Sequence, residues 1–235
     1  MKKTLIALAV AIALVLIVRS CAFTSCIVPY SGEEKSVYAG ERIIVNKWSY
    51  GLRLPAMQLI GYHRLLESRV ESGDIVIFNN PAATGSIDSR PVFIGRCVGV
   101  PGDTLMLGEN LLQVQSGTKS AQAFVVPGRG MSITVEPWNV KLLCNTVNRH
   151  EHRRARLQGE QLYIDGHRVK EVTFTKDYYW VLDSNVVNMA DSRLFGFVPQ
   201  DHVIGRAALI WFSHDPQKSV FTGYRWNRIF TVIDD

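Results

Sequence analysis

The sequence predicts a mainly β fold behind one apolar N-terminal helix. Three observations carry this. Short runs of β-branched and aromatic residues recur along the chain, Gly, Pro and Asp punctuate them, and an uncharged apolar run from Leu5 to Val18 precedes them all. Many short strands with such punctuation build an all-β sandwich or folded-over barrel. The 235 residues, 47% hydrophobic and 20% charged, suffice for one core with a small subdomain.

The first element is the apolar run, with Lys2 and Lys3 before it and Arg19 after it. A cleaved signal peptide needs small residues at its end, and Ser20-Cys21-Ala22 is a poor cleavage site. A lipoprotein needs a small residue directly before the cysteine, with an apolar residue further upstream, and Arg19-Ser20-Cys21 does not supply that. An uncleaved anchor fits better. A full span takes roughly 17–25 residues, and snorkelling of Lys2, Lys3 and Arg19 extends the run. This reading gives a cytoplasmic stub at 1–3, a transmembrane anchor at 4–22 and an exported domain at 23–235, with the lysines inside.

Arg42–Val45 reads as the first clear strand, after Ala39-Gly40-Glu41. Ile75–Phe78 follows Gly73-Asp74 and ends before Pro81. Val92–Ile94 leads into Val98–Val100, which Pro101-Gly102-Asp103 stops. Leu162–Ile164 and Arg168–Lys170 flank Asp165-Gly166, the strongest short hairpin signal in the chain. Tyr178–Leu182 and Val203–Phe212 complete the strand-like set. Two segments read as helical: Ala56–Glu67, and Pro137–Arg149, where Val140, Leu143 and Val147 form one stripe. Residues 117–158 read as an inserted subdomain, with a small hairpin from Ala123–Val126 and Met131–Val135.

The net charge is +5 and the pI about 9.1. Mild, diffuse basicity suits work beside anionic lipid, and nothing resembles a nucleic-acid-binding signature or a phosphate loop. Cys21, Cys26, Cys97 and Cys144 form no C-x-x-C pair. In an oxidising compartment Cys21–Cys26 and Cys97–Cys144 are the candidate bridges, and free buried thiols are the commoner outcome. His150 and His152 lie two apart without a third ligand, so no metal is expected, and no cofactor motif is present. The basic stretch Arg149–Arg156 reads as a solvated loop in preference to a lipid or partner site. Tyr224–Phe230 mixes aromatic and basic residues; membrane-interface contact and packing on the core are equal readings.

Four collinear blocks carry a resemblance. They are Gly40–Lys47 with Tyr50-Gly51, Gly73–Phe78, Arg96–Asp103, and Ala190–Arg193 with Gly196–Pro199. In order and spacing they resemble bacterial signal peptidase I, and the inserted region is similar to versions from Bacteroidetes-type bacteria. The resemblance implies a folded β-sheet domain on the periplasmic side of the inner membrane and an ancestral role in cutting signal peptides from exported proteins. It implies the membrane, signal peptides and an intact peptidase paralogue as partners, and no nucleic acid.

The family cleaves an amide with a serine nucleophile and a lysine whose pKa burial lowers far enough for it to act as a base. Counting back from Gly40, Gly32 falls on the nucleophile, Tyr30 on the oxyanion serine, Glu33 on the methionine and Lys35 on the proline. The base position, directly before Arg96, is Gly95. The family's last block is rewritten over Asp183–Met189. Glycine carries neither hydroxyl nor amine, so catalytic residues are expected to be absent. Ser31 is the fallback nucleophile, although a one-residue slip in an extended segment turns a side chain to the opposite face. Lys35 stands beside Glu33 and Glu34, which hold it charged, and Cys97 as a replacement falls at a core position. Arg96, Asp191, Ser192 and Arg193 are expected to be structural residues beside the site, with Asp191 and Arg193 an ion pair.

Three functions stay open: an inactive paralogue that binds signal peptides or assists an intact peptidase, an active endopeptidase with displaced groups, and a structural membrane protein on the same fold.

Overall fold

A computed structural model of the chain describes residues 3–4, 6–8, 22–28, 37–53, 62–107, 122–183, 191–219 and 221–233. The chain is mainly β and divides into two compact units. The first comprises 1–70, 74–77 and 204–235, the second 71–73 and 78–203. Most of the apolar N-terminal run, Cys21, and the segment with Gly32 and Ser31 lie outside the described residues. Among the described residues no helix is long and apolar enough to cross a membrane.

In the first unit β1 (Phe23–Ile27) pairs antiparallel with β2 (Glu41–Asn46). The burial of β2 alternates as its sequence dictates. Glu41, Ile43 and Val45 point inward, and Ile43 and Val45 are fully buried. Short β3 (Leu52–Arg53) and β4 (Arg64–Leu65) pair with each other. A strand therefore stands at Arg64–Leu65, where the helical reading of Ala56–Glu67 placed helix; residues 54–61 lie outside the described set. All five residues of β5 (Ile75–Asn79) are buried, which accounts for its nearly unbroken apolar run.

In the second unit β6 (Val92–Gly99) is followed by β7 (Thr104–Leu107), which pairs with β8 (Gln122–Val125). β9 (Ser132–Thr134) precedes α1 (Val140–His150). The inward face of α1 carries the expected Val140, Leu143 and Val147, and adds Cys144, Thr146 and His150. The helix packs on β10 (Ala155–Gln158) and β11 (Gln161–Ile164). β12 (His167–Val169) completes a three-stranded meander. Its turn is the Asp165-Gly166 hairpin, with both residues at positive φ, 51° and 87°. β13 (Glu171–Thr173) pairs back with β9. β14 (Tyr178–Leu182) pairs with β6 through a register shift between Trp180 and Val181. It also pairs with β15 (Val198–Pro199), after the short helix α2 (Ser192–Phe195). Phe124, Phe174, Tyr178, Trp180 and Phe197 fill the core beneath.

The chain returns to the first unit in β16 (Val203–Ser213), which pairs with β2, and β17 (Thr231–Val232) adds to β16. The C-terminal aromatic–basic segment packs on the core in part. Arg228 binds the buried Glu41 carboxylate at 3.0 and 3.2 Å, while Trp226 and Phe230 are each 74% exposed. Cys26, Cys97 and Cys144 are free thiols, so Cys97 and Cys144 do not pair. The basic stretch 149–156 is not a loop throughout: Arg149 and His150 end α1 and Ala155–Arg156 open β10.

Candidate functional site

Gly95 sits on β6 with inward-facing Cys97 and Gly99, at buried positions of the alternating strand. A Cβ built on Gly95 would lie 2.6 Å from Val181 Cγ1 and 2.8 Å from the Leu182 carbonyl oxygen. Such separations are well inside van der Waals contact, and one of the two atoms is backbone. The position that the family resemblance assigns to the base is thus filled by β14, and no side chain fits there without moving that strand.

The reason β14 stands where it does lies in Asp191, Ser192 and Arg193. Ser192 Oγ accepts a hydrogen bond from Val181 N at 2.9 Å. Asp191 Oδ2 accepts from Asp183 N at 3.0 Å, and Arg193 Nη2 donates to the Asp183 carbonyl at 2.8 Å. Asp191 is also the N-cap of α2, accepting from Arg193 N at 2.9 Å. Its carboxylate pairs with the Arg193 guanidinium through Nε, at 3.1 and 2.8 Å, and through Nη2. Both side chains are almost wholly buried. The Asp191–Arg193 ion pair expected from the sequence therefore exists. It holds the segment Val181–Asp183 that closes over Gly95.

Arg96 points the other way and donates from Nη1 to the Gly73 carbonyl at 2.7 Å. Gly73, at φ 105°, returns a backbone bond to Cys97 O at 2.7 Å. Cys97 is fully buried and its thiol turns to the Gly99 carbonyl at 3.4 Å, which removes it as a nucleophile. Ser31 and Gly32 lie outside the described residues.

Sequence reading missed a buried polar cluster in the second unit. Tyr178 donates to Glu151 at 2.6 Å, and Thr175 binds the same carboxylate through N and Oγ1. Burial, then the Glu151 hydrogen bond, push the Tyr178 phenol far up. Beside it Lys176, Asp201, His202 and Arg90 form a chain of contacts. Burial lowers the His150 pKa to about 3, helped by nearby His202. Burial also lowers His202. Burial alone would raise Asp201, but His202 and Lys176 together hold it well below the usual carboxylate range. Apart from the Asp201-His202 dipeptide after Pro199, nothing local in the sequence marks this cluster. Its members converge from four separate segments. Among the described residues no group of three or more His, Cys, Asp or Glu is arranged to hold a metal, and His152 stands exposed at φ 52°.

Comparison with known proteins agrees with the block pattern. The family described as signal peptidase, peptidase S26 matches residues 1–212. Signal peptidase I of Haemophilus influenzae is 25% identical over 258 residues, covering 94% of this chain and 73% of its own. That of Pseudomonas aeruginosa is 26% identical over 224 residues, covering 88% and 71%. That of Buchnera aphidicola subsp. Schizaphis graminum is 27% identical over 251 residues, covering 93% and 78%.

Proposed function

The chain belongs to the signal peptidase, peptidase S26 family, and on that premise we propose that it is a non-cleaving member that binds signal peptides or assists an intact peptidase. The observation that carries this is the closed position at Gly95. Two missing side chains alone are two substitutions. A base position in which Val181 and the Leu182 carbonyl leave no room for a side chain is a scaffold that no longer accommodates the base. Residues that act as a catalytic unit fail together, so neither half would be retained for its own sake. Peptide binding does not depend on the dyad, because an extended peptide added to a sheet edge is held by main-chain hydrogen bonds. The reading carries with it a single N-terminal anchor at residues 4–22 in the inner membrane and a main domain on the periplasmic side.

The test is a cleavage assay of the purified full chain on a preprotein, paired with photo-crosslinking to a signal peptide. Capture without cleavage is expected. Cleavage that Ser31→Ala abolishes would establish a displaced nucleophile and overturn the reading. Neither cleavage nor capture would leave a structural role.

A further inference from the structure

One chain of charged and polar groups in the second unit has no part in the proposed function. Lys176 Nζ lies 2.7 Å from Asp201 Oδ2. Asp201 Oδ1 lies 2.9 Å from His202 Nδ1, and His202 Nε2 lies 2.8 Å from Arg90 Nη1. A guanidinium only donates, so Nε2 is the acceptor and the single imidazole proton sits on Nδ1, donated to Asp201. His202 in this arrangement is neutral. The same guanidinium gathers the loop between β5 and β6. Nε and Nη2 donate to the Gly85 carbonyl at 3.1 and 3.0 Å, and Nη1 reaches the Pro81 carbonyl at 3.5 Å. Arg90 therefore joins the loop at 80–91 to the buried histidine.

We propose that His202 is a pH-operated latch: a proton taken from solvent onto Nε2 expels Arg90 and frees the loop at 80–91, and its loss closes the loop again. The proton on Nδ1 stays donated to Asp201 throughout, so one proton enters and none is displaced. With Nε2 protonated, two donors of like charge would face each other at hydrogen-bond distance, and the half-buried Arg90 is the one free to leave.

Burial opposes the cation most, and the groups facing the imidazole divide. Asp201, on its own turn, favours the cation. Arg90 from the loop and Lys176 from the turn before β14 oppose it. His150 meets it edge-on from α1 at 5.3 Å between ring centroids, with Arg149 adjacent and Glu151 bound to Tyr178. Opening removes Arg90 and admits water, so the open form binds the proton better. The open fraction should then rise about tenfold per pH unit below about pH 6.5 and stay level above it. β6 begins at Val92, two residues after Arg90, so the latch governs the entry to the strand that carries Gly95 and Arg96. The inference is independent of whether the chain cleaves.

The experiment is hydrogen exchange on the full chain in detergent micelles between pH 7.5 and pH 5, corrected for the intrinsic pH dependence of exchange. Loop amides 82–90 are expected to lose protection below about pH 6.5, while α1 stays protected. In His202→Gln the side-chain oxygen can still accept from Arg90 but does not titrate, and loop exchange should become independent of pH. In Arg90→Ala, which removes the tether from the loop's side, the loop should stay open throughout. A wild-type loop insensitive to pH would overturn the latch. So would an unchanged pH response in His202→Gln, an Arg90→Ala loop as protected as wild type, or loop and α1 losing protection together.

Discussion

Two residues decide how the site is understood. Gly95 was legible as a missing base. Its closure was not, because the atoms that fill the space belong to β14, more than eighty residues away in sequence and seated by a register shift at Trp180–Val181. Gly95→Ala would force a methyl group against Val181 Cγ1 and the Leu182 carbonyl. Overpacking of this kind costs about 1–3 kcal/mol, measured as a lower denaturation midpoint at unchanged slope. The double variant Gly32→Ser, Gly95→Lys should be less stable still and should not cleave a preprotein. Asp191→Ala tests the clamp on the other side of β14. It strands the buried Arg193 guanidinium and frees Asp183 N. Removing one partner of a buried pair costs about 3–5 kcal/mol, so this variant should unfold at a markedly lower denaturant concentration than wild type.

At the scale of elements, local signals were read well where local chemistry suffices. Asp165-Gly166 marks a two-residue turn that needs positive φ at both positions, and both have it. Gly166→Ala should cost roughly 1–2 kcal/mol, the usual penalty for a side chain in the left-handed region, with β11 and β12 losing exchange protection before α1 does. The stripe on α1 was legible for the same reason: its 3.6-residue period is a property of that segment alone. The end of Ala56–Glu67 failed because mixed apolar and polar residues without a cap leave helix and strand evenly matched, and pairing of Arg64–Leu65 with Leu52–Arg53 decides it. His150 was read only as one of two histidines, with His152, that lack a third metal ligand. It proves to be a core side chain, 3% exposed, which no spacing rule could have indicated.

Across the whole molecule, these buried histidines make stability depend on acid in a definite direction. The folded protein holds His150 neutral down to about pH 3, whereas an unfolded histidine takes a proton near pH 6.5. Between those values the unfolded chain binds more protons, so stability is complete above about pH 6.5 and falls with pH, by up to about 1.4 kcal/mol per pH unit from this group. His202 pulls in the same direction but has an escape, since the loop at 80–91 can open around it at less cost than global unfolding. His150, on the inward face of α1 with its ring against His202 and Tyr178, has no such route. Asp201 is held ionised in the fold and adds its own loss only below about pH 4, where free carboxylates protonate. Denaturation midpoints from pH 7.5 to pH 4.5 should therefore fall steeply in wild type and less steeply in His150→Gln, which cannot titrate. The two curves should converge toward a constant separation above pH 6.5. Equal slopes would mean that the core admits the charged imidazole, and the acid sensitivity assigned to His150 would then fall to the latch at His202.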